Sequence, residues 1–560
     1  MRKIFTFIVI TFIGMSSVDI LAQVSPNHYL INLTDKNNSP YSLDKPEAFL
    51  SKRAILRRQK YHIPYSENDL PVNPTYIDSI KALGLQVVNI SKWFNSLTIY
   101  SKDTLLIDSL DKISFIKSVG LNKKMKTIRT SEEIKPATEI KAKEHTKIDS
   151  TDYYFYGDAF RQIEMLQGNL LHKEGYRGEN MFIAVLDAGF YKVDELPAFD
   201  SIRANNQIIG VYDFVDKDTI VYDASSHGMQ VLSTMAANMP GLMVGTAPKA
   251  SYLLLRTEQT ASEYIIEEHN WVAAAEYADS LGVDMITTSL GYNNFDDNSQ
   301  SHTYKDMDGN TAMITIAADL AASKGILVVS SAGNEGFSAW KYIAAPADAD
   351  SILSIGAVTP EEDIAFFSSL GPTYDRRIKP DVCAMGMPAT VSGSNGSISA
   401  SNGTSFSGPI MAGMVACLWQ AHPELNNMQI IDAVKRSANR YSQPDTIYGY
   451  GIPNFYAAHI YLNTSGSINE SIDNLLNIFP NPFKEYFNIE LFVRNINLPY
   501  NSKVEIYNLA GKKVLETSIS SKLNNYSVTK VNETENLSRG IYIVRLTAND
   551  IVLQKKVLKL

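Results

Sequence analysis

The chain has 560 residues, too many for one hydrophobic core, and divides by size into roughly three or four domains. Hydrophobic residues at 45% and charged residues at 20% exclude disorder throughout, and a net charge of −9 argues against nucleic acid or an anionic membrane as a partner held by bulk electrostatics. Cys383 and Cys417 are the only cysteines, so neither a disulfide scaffold nor a cysteine-rich zinc site is available.

Residues 1–22 read as a secretory signal peptide: Arg2 and Lys3, an apolar run from Ile4 to Met15, then Leu21-Ala22-Gln23 with cleavage expected after Ala22. The apolar run falls short of the ~20 residues that span a bilayer, and no later segment is long and apolar enough to do so. Residues 23–122 carry strand patterns at 28–33, 85–91, 96–100 and 115–120 and helix patterns at 47–61, 75–83 and 103–112, with Asp103 as N-cap. That order predicts a small α+β domain of the ferredoxin-like kind. Residues 123–152 are Lys-, Glu- and Thr-rich and lose periodicity, which reads as an exposed linker and a site for activation cleavage.

Across 153–462, apolar strands at 182–186, 251–255, 285–288, 326–331 and 352–358 alternate with helices at 227–239, 263–281 and 312–324. This predicts a parallel sheet covered by helices on both faces. Residues 463–476 read as a second linker. Beyond it, 485–493, 503–509, 512–518, 540–547 and 551–560 alternate like half-buried strands, with turns at Ala510-Gly511 and Asn549-Asp550, so 477–560 reads as a β-sandwich.

Four segments of the α/β region carry chemistry. Gly403-Thr404-Ser405-Phe406-Ser407-Gly408-Pro409 opens a helix expected over 405–420, with Pro409 in its first turn. Ser405 there is either a helix cap or a nucleophile whose own N–H faces a developing oxyanion. The strand Ile183-Ala184-Val185-Leu186 ends in Asp187, at the carboxyl edge where open α/β sheets bind ligands; the alternative is a cap or turn residue. His227 in Ser226-His227-Gly228 begins a helix and is otherwise a structural histidine. Asn334, in Ser331-Ala332-Gly333-Asn334-Glu335-Gly336, follows a strand; it is a turn residue or an oxyanion donor.

Together, in the order Asp, His, Asn, Ser, these segments resemble subtilisin-like serine proteases over about 153–462. Gly245-Thr246-Ala247-Pro248-Lys249-Ala250, Ser289-Leu290-Gly291 and Lys379-Pro380-Asp381-Val382 also fit. The resemblance implies a serine endopeptidase of proteins and peptides, with Ser405 as nucleophile, His227 as general base, Asp187 orienting it, and Asn334 in the oxyanion hole. It further implies that Ser289, Leu290 and Gly291 form the edge on which the substrate lies, and Ser331, Ala332 and Gly333 one wall of the pocket for the residue before the scissile bond. Met229, Gln230 and Ala188 depart from the family pattern, where Thr, a second His, and Thr or Ser are common. The motifs of α/β-hydrolases, zinc proteases and phosphate-binding loops are absent.

The chemistry needs no cofactor, although a structural calcium ion is compatible with it. In Asp306-Met307-Asp308-Gly309-Asn310, Asp306 and Asp308 alternate around a glycine, but the glycine comes early for an EF-hand and the distal glutamate is missing; the alternative is a solvated turn. By the same resemblance, 23–122 is a propeptide that assists folding and blocks the site, the alternative being a retained accessory domain. Residues 477–560 resemble the type A sorting domain of type IX secretion through Ile478-Phe479-Pro480-Asn481-Pro482-Phe483, Val504-Glu505-Ile506-Tyr507-Asn508-Leu509-Ala510-Gly511 and Leu537-Ser538-Arg539-Gly540-Ile541-Tyr542. The expected partners are protein substrates, the chain's own propeptide and the type IX machinery, for a monomer secreted or held at the cell surface. The alternative function is a catalytically silent adhesion protein on the same fold. Both cysteines are expected to be buried thiols, Cys383 after an apolar strand and Cys417 on the helix that follows Ser405.

Overall fold

Every residue of the strand Phe182–Asp187 is buried, and its side chains divide between two cores. Ile183 and Val185 pack on one face against the helices His227–Ala236 and Thr404–Ala421; Phe182, Ala184 and Leu186 pack on the other against Ile266–Leu281 and Met313–Ser323. A strand that is apolar at both parities needs cover on both sides, which is why a continuous apolar run marks the centre of a parallel sheet. The computed structural model describes residues 23–120, 156–465, 476–479, 481–492, 502–519, 526–532, 534–548 and 551–560. The expected signal peptide, the 123–152 linker, most of the second linker and the Asn549-Asp550 turn lie outside these residues.

The central sheet has seven strands, all parallel, in the order Val382–Met385, Leu353–Val358, Leu327–Ser331, Met285–Thr288, Phe182–Asp187, Ser251–Arg256, Ile208–Asp213. From Phe182–Asp187 the chain goes first to the edge strand Ile208–Asp213, returns inward to Ser251–Arg256, and then crosses to work outward on the other side, so Asp187 ends the strand at which the order reverses. Two of these strands have weak sequence signals. Ile208–Asp213 is a half-exposed edge strand containing Gly210, and Val382–Met385 is four residues long. Cys383 lies inside the latter strand rather than after it. The expected 227–239 helix stops at Ala236, because Met239 precedes Pro240 and is drawn into an extended pair with Met243–Val244.

The N-terminal domain is a four-stranded antiparallel sheet in the order Gln86–Ser91, Ser96–Tyr100, His28–Leu33, Ile116–Val119, which is the ferredoxin-like arrangement. Its helices are Lys52–Lys60, Pro74–Ala82 and Thr104–Ser109, the last capped as expected by Asp103, which accepts the Leu106 N–H at 3.1 Å. The C-terminal region has two antiparallel sheets sharing one core that includes Phe483, Phe487, Val504, Ile506 and Val544. Two of its strands, Leu476–Phe479 and Tyr526–Val531, are additional to those the alternation predicts, and the helix Phe455–Ser465 runs past the expected end of the α/β region. Among the described residues, no helix is long and apolar enough to cross a membrane.

The N-terminal domain sits on the helix Ile266–Leu281 through buried polar contacts. Asp279, with no side-chain exposure, receives Arg57 at 2.5 Å and Arg58 at 3.0 Å, and Lys324 meets Asp69 at 3.1 Å. Burial works against the Asp279 carboxylate, but Lys92, Arg57 and Arg58 hold it at about 2. Glu276 accepts the Ser91 hydroxyl at 2.6 Å and the Lys92 and Trp93 N–H groups at 2.8 and 3.0 Å. His269 is buried with Nδ1 2.8 Å from Thr98 Oγ1, and its Nε2 has no partner.

Burial pushes the His269 imidazole down to about 4. The unfolded chain therefore binds this proton more readily, so the stabilisation is complete above pH 6.5 and falls as the pH drops from 6.5 towards 4. The full-length precursor is expected to lose about 3 kcal/mol through this group over that window, read from urea unfolding, at about 1.4 kcal/mol per pH unit. His269→Gln should flatten the decline; an unchanged slope contradicts the assignment.

Candidate active site

Asp187 is the last residue of its strand and has no solvent exposure. Its Oδ1 accepts the Ala188 N–H at 2.8 Å and lies 2.7 Å from His227 Nδ1, while Oδ2 has no partner. His227 is the first residue of its helix and keeps its side chain about one-third exposed (34%), so one ring edge faces the solvent side. The helix can begin this close to the strand end because the next residue is glycine. A Cβ at Gly228 would stand 2.4 Å from the Gly189 carbonyl oxygen and 2.8 Å from Asp187 Cβ. Burial alone would lower the His227 pKa; the Asp187 carboxylate, by charge and hydrogen bond, and Glu258 more distantly, raise it above its ordinary 6.5.

Ser405 is the second residue of the helix Thr404–Ala421. The first four N–H groups of a helix have no intrahelical acceptor. Thr404 N–H is bonded to Asn334 Oδ1 at 2.9 Å, and the Ser405 N–H is left for a ligand. Asn334 Oδ1 also accepts the Thr404 hydroxyl at 2.9 Å, which fixes the amide with its NH2 free to donate. Pro409 is the sixth residue of this helix, not in the first turn as the sequence suggests. Lacking an N–H, it leaves the Ser405 carbonyl unclaimed within the helix, and Ser289 Oγ donates to that carbonyl at 2.8 Å. The proline thus links the Ser405 backbone to the Ser289-Leu290-Gly291 edge.

Ser289, Leu290, Gly291, Ser331, Gly333, Asn334 and Ser405 line one pocket of about 130 Å³ with Asn293, Glu335, Ala344 and Thr404. Ala332 is buried behind this wall in a small cluster with Ile343 and Ala347. Ser331 Oγ donates to the Thr404 carbonyl at 2.8 Å, so the pocket wall is tied to the start of the Ser405 helix. Ser405 Oγ itself donates weakly, at 3.4 Å, to the Ser289 carbonyl, and no hydrogen bond to His227 is formed. The Asp187–His227 pair is not part of this pocket lining, and it meets the Ser405 helix through the His227 ring, whose centroid lies 6.2 Å from that of Phe406. Thr404, as the holder of Asn334, and Ser289, as the anchor of the Ser405 carbonyl, have roles that the residue pattern alone does not reveal.

A calcium ion finds no support at the expected place. Asp306 Oδ2 is engaged by the Thr303 N–H and hydroxyl at 2.8 and 2.9 Å, and Asp308 by Asn310 N–H and the Thr311 hydroxyl, both at 2.9 Å. Among the described residues no three His, Cys, Asp or Glu side chains are grouped so as to hold a metal ion. Cys383 and Cys417 are buried free thiols, and burial pushes Cys383 up to about 12, where it is unreactive as a nucleophile.

Comparison with known proteins identifies the family. Residues 178–451 match the Subtilase family, 28–139 the peptidase S8 propeptide domain of Bacteroidota, and 477–559 a secretion system C-terminal sorting domain. Subtilisin NAT of Bacillus subtilis subsp. natto is 33% identical over 53% of this chain and 70% of its own length; subtilisin of Bacillus pumilus is 32% identical over 53% and 97%. The solved epidermin leader peptide processing serine protease of Staphylococcus aureus shares the fold with a TM-score of 0.51 at 17% identity, over 79% of this chain and 99% of that one. This chain belongs to the subtilase family of serine endopeptidases, with a propeptide domain before the catalytic fold and a type IX secretion sorting domain after it.

Proposed function

We propose that the protein is a secreted endopeptidase working through an acyl-enzyme on Ser405. Ser405 Oγ attacks the scissile carbonyl as His227 Nε2 takes its proton; His227 then gives that proton to the leaving amine, and water repeats the sequence to release the acid. Asp187 holds the imidazole by Nδ1 and stabilises its cation. Asn334 Nδ2 and the Ser405 N–H receive the oxyanion, where one such donor contributes about 3 kcal/mol in the transition state. The substrate lies along Ser289-Leu290-Gly291 and places one side chain in the pocket beside Ser331 and Gly333. The observation that carries this reading is the 2.7 Å Asp187–His227 bond at the switch point of a sheet whose neighbouring strand ends and helix start bring Asn334 and Ser405 into one pocket.

The flanking regions fit a route of export and activation. The N-terminal signal carries the chain across the inner membrane, the sorting domain directs it through the outer membrane, and the propeptide keeps the enzyme inactive until the 123–152 segment is cut. Docking of residues 23–120 supports this reading, since their buried ion pairs end on the helix Ile266–Leu281 of the catalytic domain.

Ser405→Ala is expected to reduce proteolysis by the activated enzyme more than about 10⁴-fold, and Asn334→Ala to lower kcat about 10²–10³-fold with KM little changed. Retained activity in the serine variant contradicts the mechanism. The base must be neutral to accept a proton, and the His227 pKa is raised, so the acid limb of kcat/KM is expected above pH 6.5. A pH–rate profile with that limb below 6 contradicts the assignment.

A further inference from the structure

Next to His227 stands a group of carboxylates that the proposed reaction does not use. Glu258 follows the strand Ser251–Arg256 and accepts a hydrogen bond from the Tyr292 hydroxyl, and Tyr292 directly succeeds the Ser289-Leu290-Gly291 edge. Glu258 is also close enough to Asp187 and His227 for its charge to act on both. The loop after Glu258 brings in Glu263, and Glu267 reaches back beneath it from the helix Ile266–Leu281. Glu267 Oε1 accepts the Gln259 N–H at 3.0 Å, while Oε2 has no partner although the residue is only 2% exposed.

Burial comes first for each, followed by repulsion from Glu263 on Glu258, from Asp296 on Glu263, and from Glu258 and Glu263 on Glu267, which pushes Glu258 up to about 8, Glu263 to about 7 and Glu267 to about 10. Arg256, the nearest cation in sequence, is turned to Asp213 and Asp216 at 2.6 Å each. At neutral pH and with no cation at hand, Glu267 and most of Glu258 are therefore protonated, and a positive charge brought against Glu258, beside the Ser289-Leu290-Gly291 edge, would draw these acids towards the carboxylate form. They are spread too widely for a bare ion, since no three acidic or metal-ligating side chains among the described residues could hold one. A spread of carboxylates suits a long side chain with a terminal positive charge.

An extended peptide turns successive side chains to opposite sides. With one side chain in the pocket beside Ser331 and Gly333, the residue before it points the other way, to the side of His227 and Glu258. We propose that Glu258, backed by Glu263 and Glu267, is a subsite for a lysine or arginine side chain on the residue immediately preceding the one held in that pocket. This specificity rests on the endopeptidase reading above.

The test uses the activated enzyme and a pair of cleavable fluorogenic peptides that differ at this residue alone, arginine in one and its uncharged isostere citrulline in the other. Wild type should show kcat/KM at least tenfold higher for the arginine peptide, and Glu258→Gln should bring the two within about threefold. Equal rates in wild type, or a preference that survives Glu258→Gln, overturn the proposal. If Glu258→Gln does not fold, Glu267→Gln, which keeps an acceptor for Gln259, must at least halve the arginine advantage, and an undiminished advantage overturns it. Calcium chloride that raises the Tm of wild type but not of Glu258→Gln, or that removes the arginine advantage, assigns the carboxylates to a metal and also overturns it. Hydrolysis of neither peptide contradicts the endopeptidase reading and the subsite with it, whereas equal hydrolysis of both contradicts the subsite alone.

Discussion

Asp187 has no exposed surface, and a carboxylate taken out of water without a partner costs several kcal/mol. The catalytic fold is arranged around that cost. The all-buried strand places the residue at the reversal of the sheet, Ala188 N–H and His227 Nδ1 both engage Oδ1, and Gly228 lets the His227 helix begin in contact with the strand end. Oδ2 remains without a donor, and Ala188, at a position where the family commonly has a hydroxyl, offers none. The carboxylate therefore depends heavily on His227, and the same pairing that satisfies it also raises the basicity of the imidazole.

Ser405 is fixed by a second economy of backbone groups. Pro409 withholds a hydrogen bond from the Ser405 carbonyl, Ser289 takes that carbonyl, and Asn334 takes the preceding N–H at Thr404. Two segments far apart in sequence are thereby locked to one helix turn, which holds the Ser405 N–H and the Asn334 NH2 where the proposed mechanism needs oxyanion donors. The helix Ile266–Leu281 extends the same logic to the propeptide. It presents His269, Glu276 and Asp279 to the N-terminal domain and Glu267 to the carboxylate group beside the site. With the propeptide docked, Glu276 and Asp279 are fully engaged, whereas His269 Nε2 has no partner, so the interface combines strong buried contacts with one unsatisfied group.

Much of this was legible in the residues. The catalytic strands announce themselves because strands buried on both faces, such as Phe182–Asp187 and Leu353–Val358, are continuous apolar runs. The edge strand Ile208–Asp213 escapes notice because half its surface faces solvent and Gly210 interrupts its pattern. The motif around Ser405 marks the helix start but misplaces Pro409, which is the fifth residue counted from 405 and the sixth from 404, beyond the first turn of about 3.6 residues in either case. Asp306 and Asp308 look like metal ligands in one dimension, yet short acidic side chains in turns are readily consumed by neighbouring N–H groups and hydroxyls. Glu258, Glu263 and Glu267 come together through a loop and a helix start, a proximity that no local spacing encodes.

The central claim is that Ser405 is activated by His227 against an oxyanion hole at the start of its helix. Its most direct test is intact-mass analysis and peptide mapping of the activated enzyme after exposure to a fluorophosphonate. The account predicts a single phosphonyl adduct on Ser405 that forms far more slowly in His227→Ala and not at all in Ser405→Ala. An adduct on another residue, or proteolysis by an enzyme whose Ser405 stays unmodified, would contradict it.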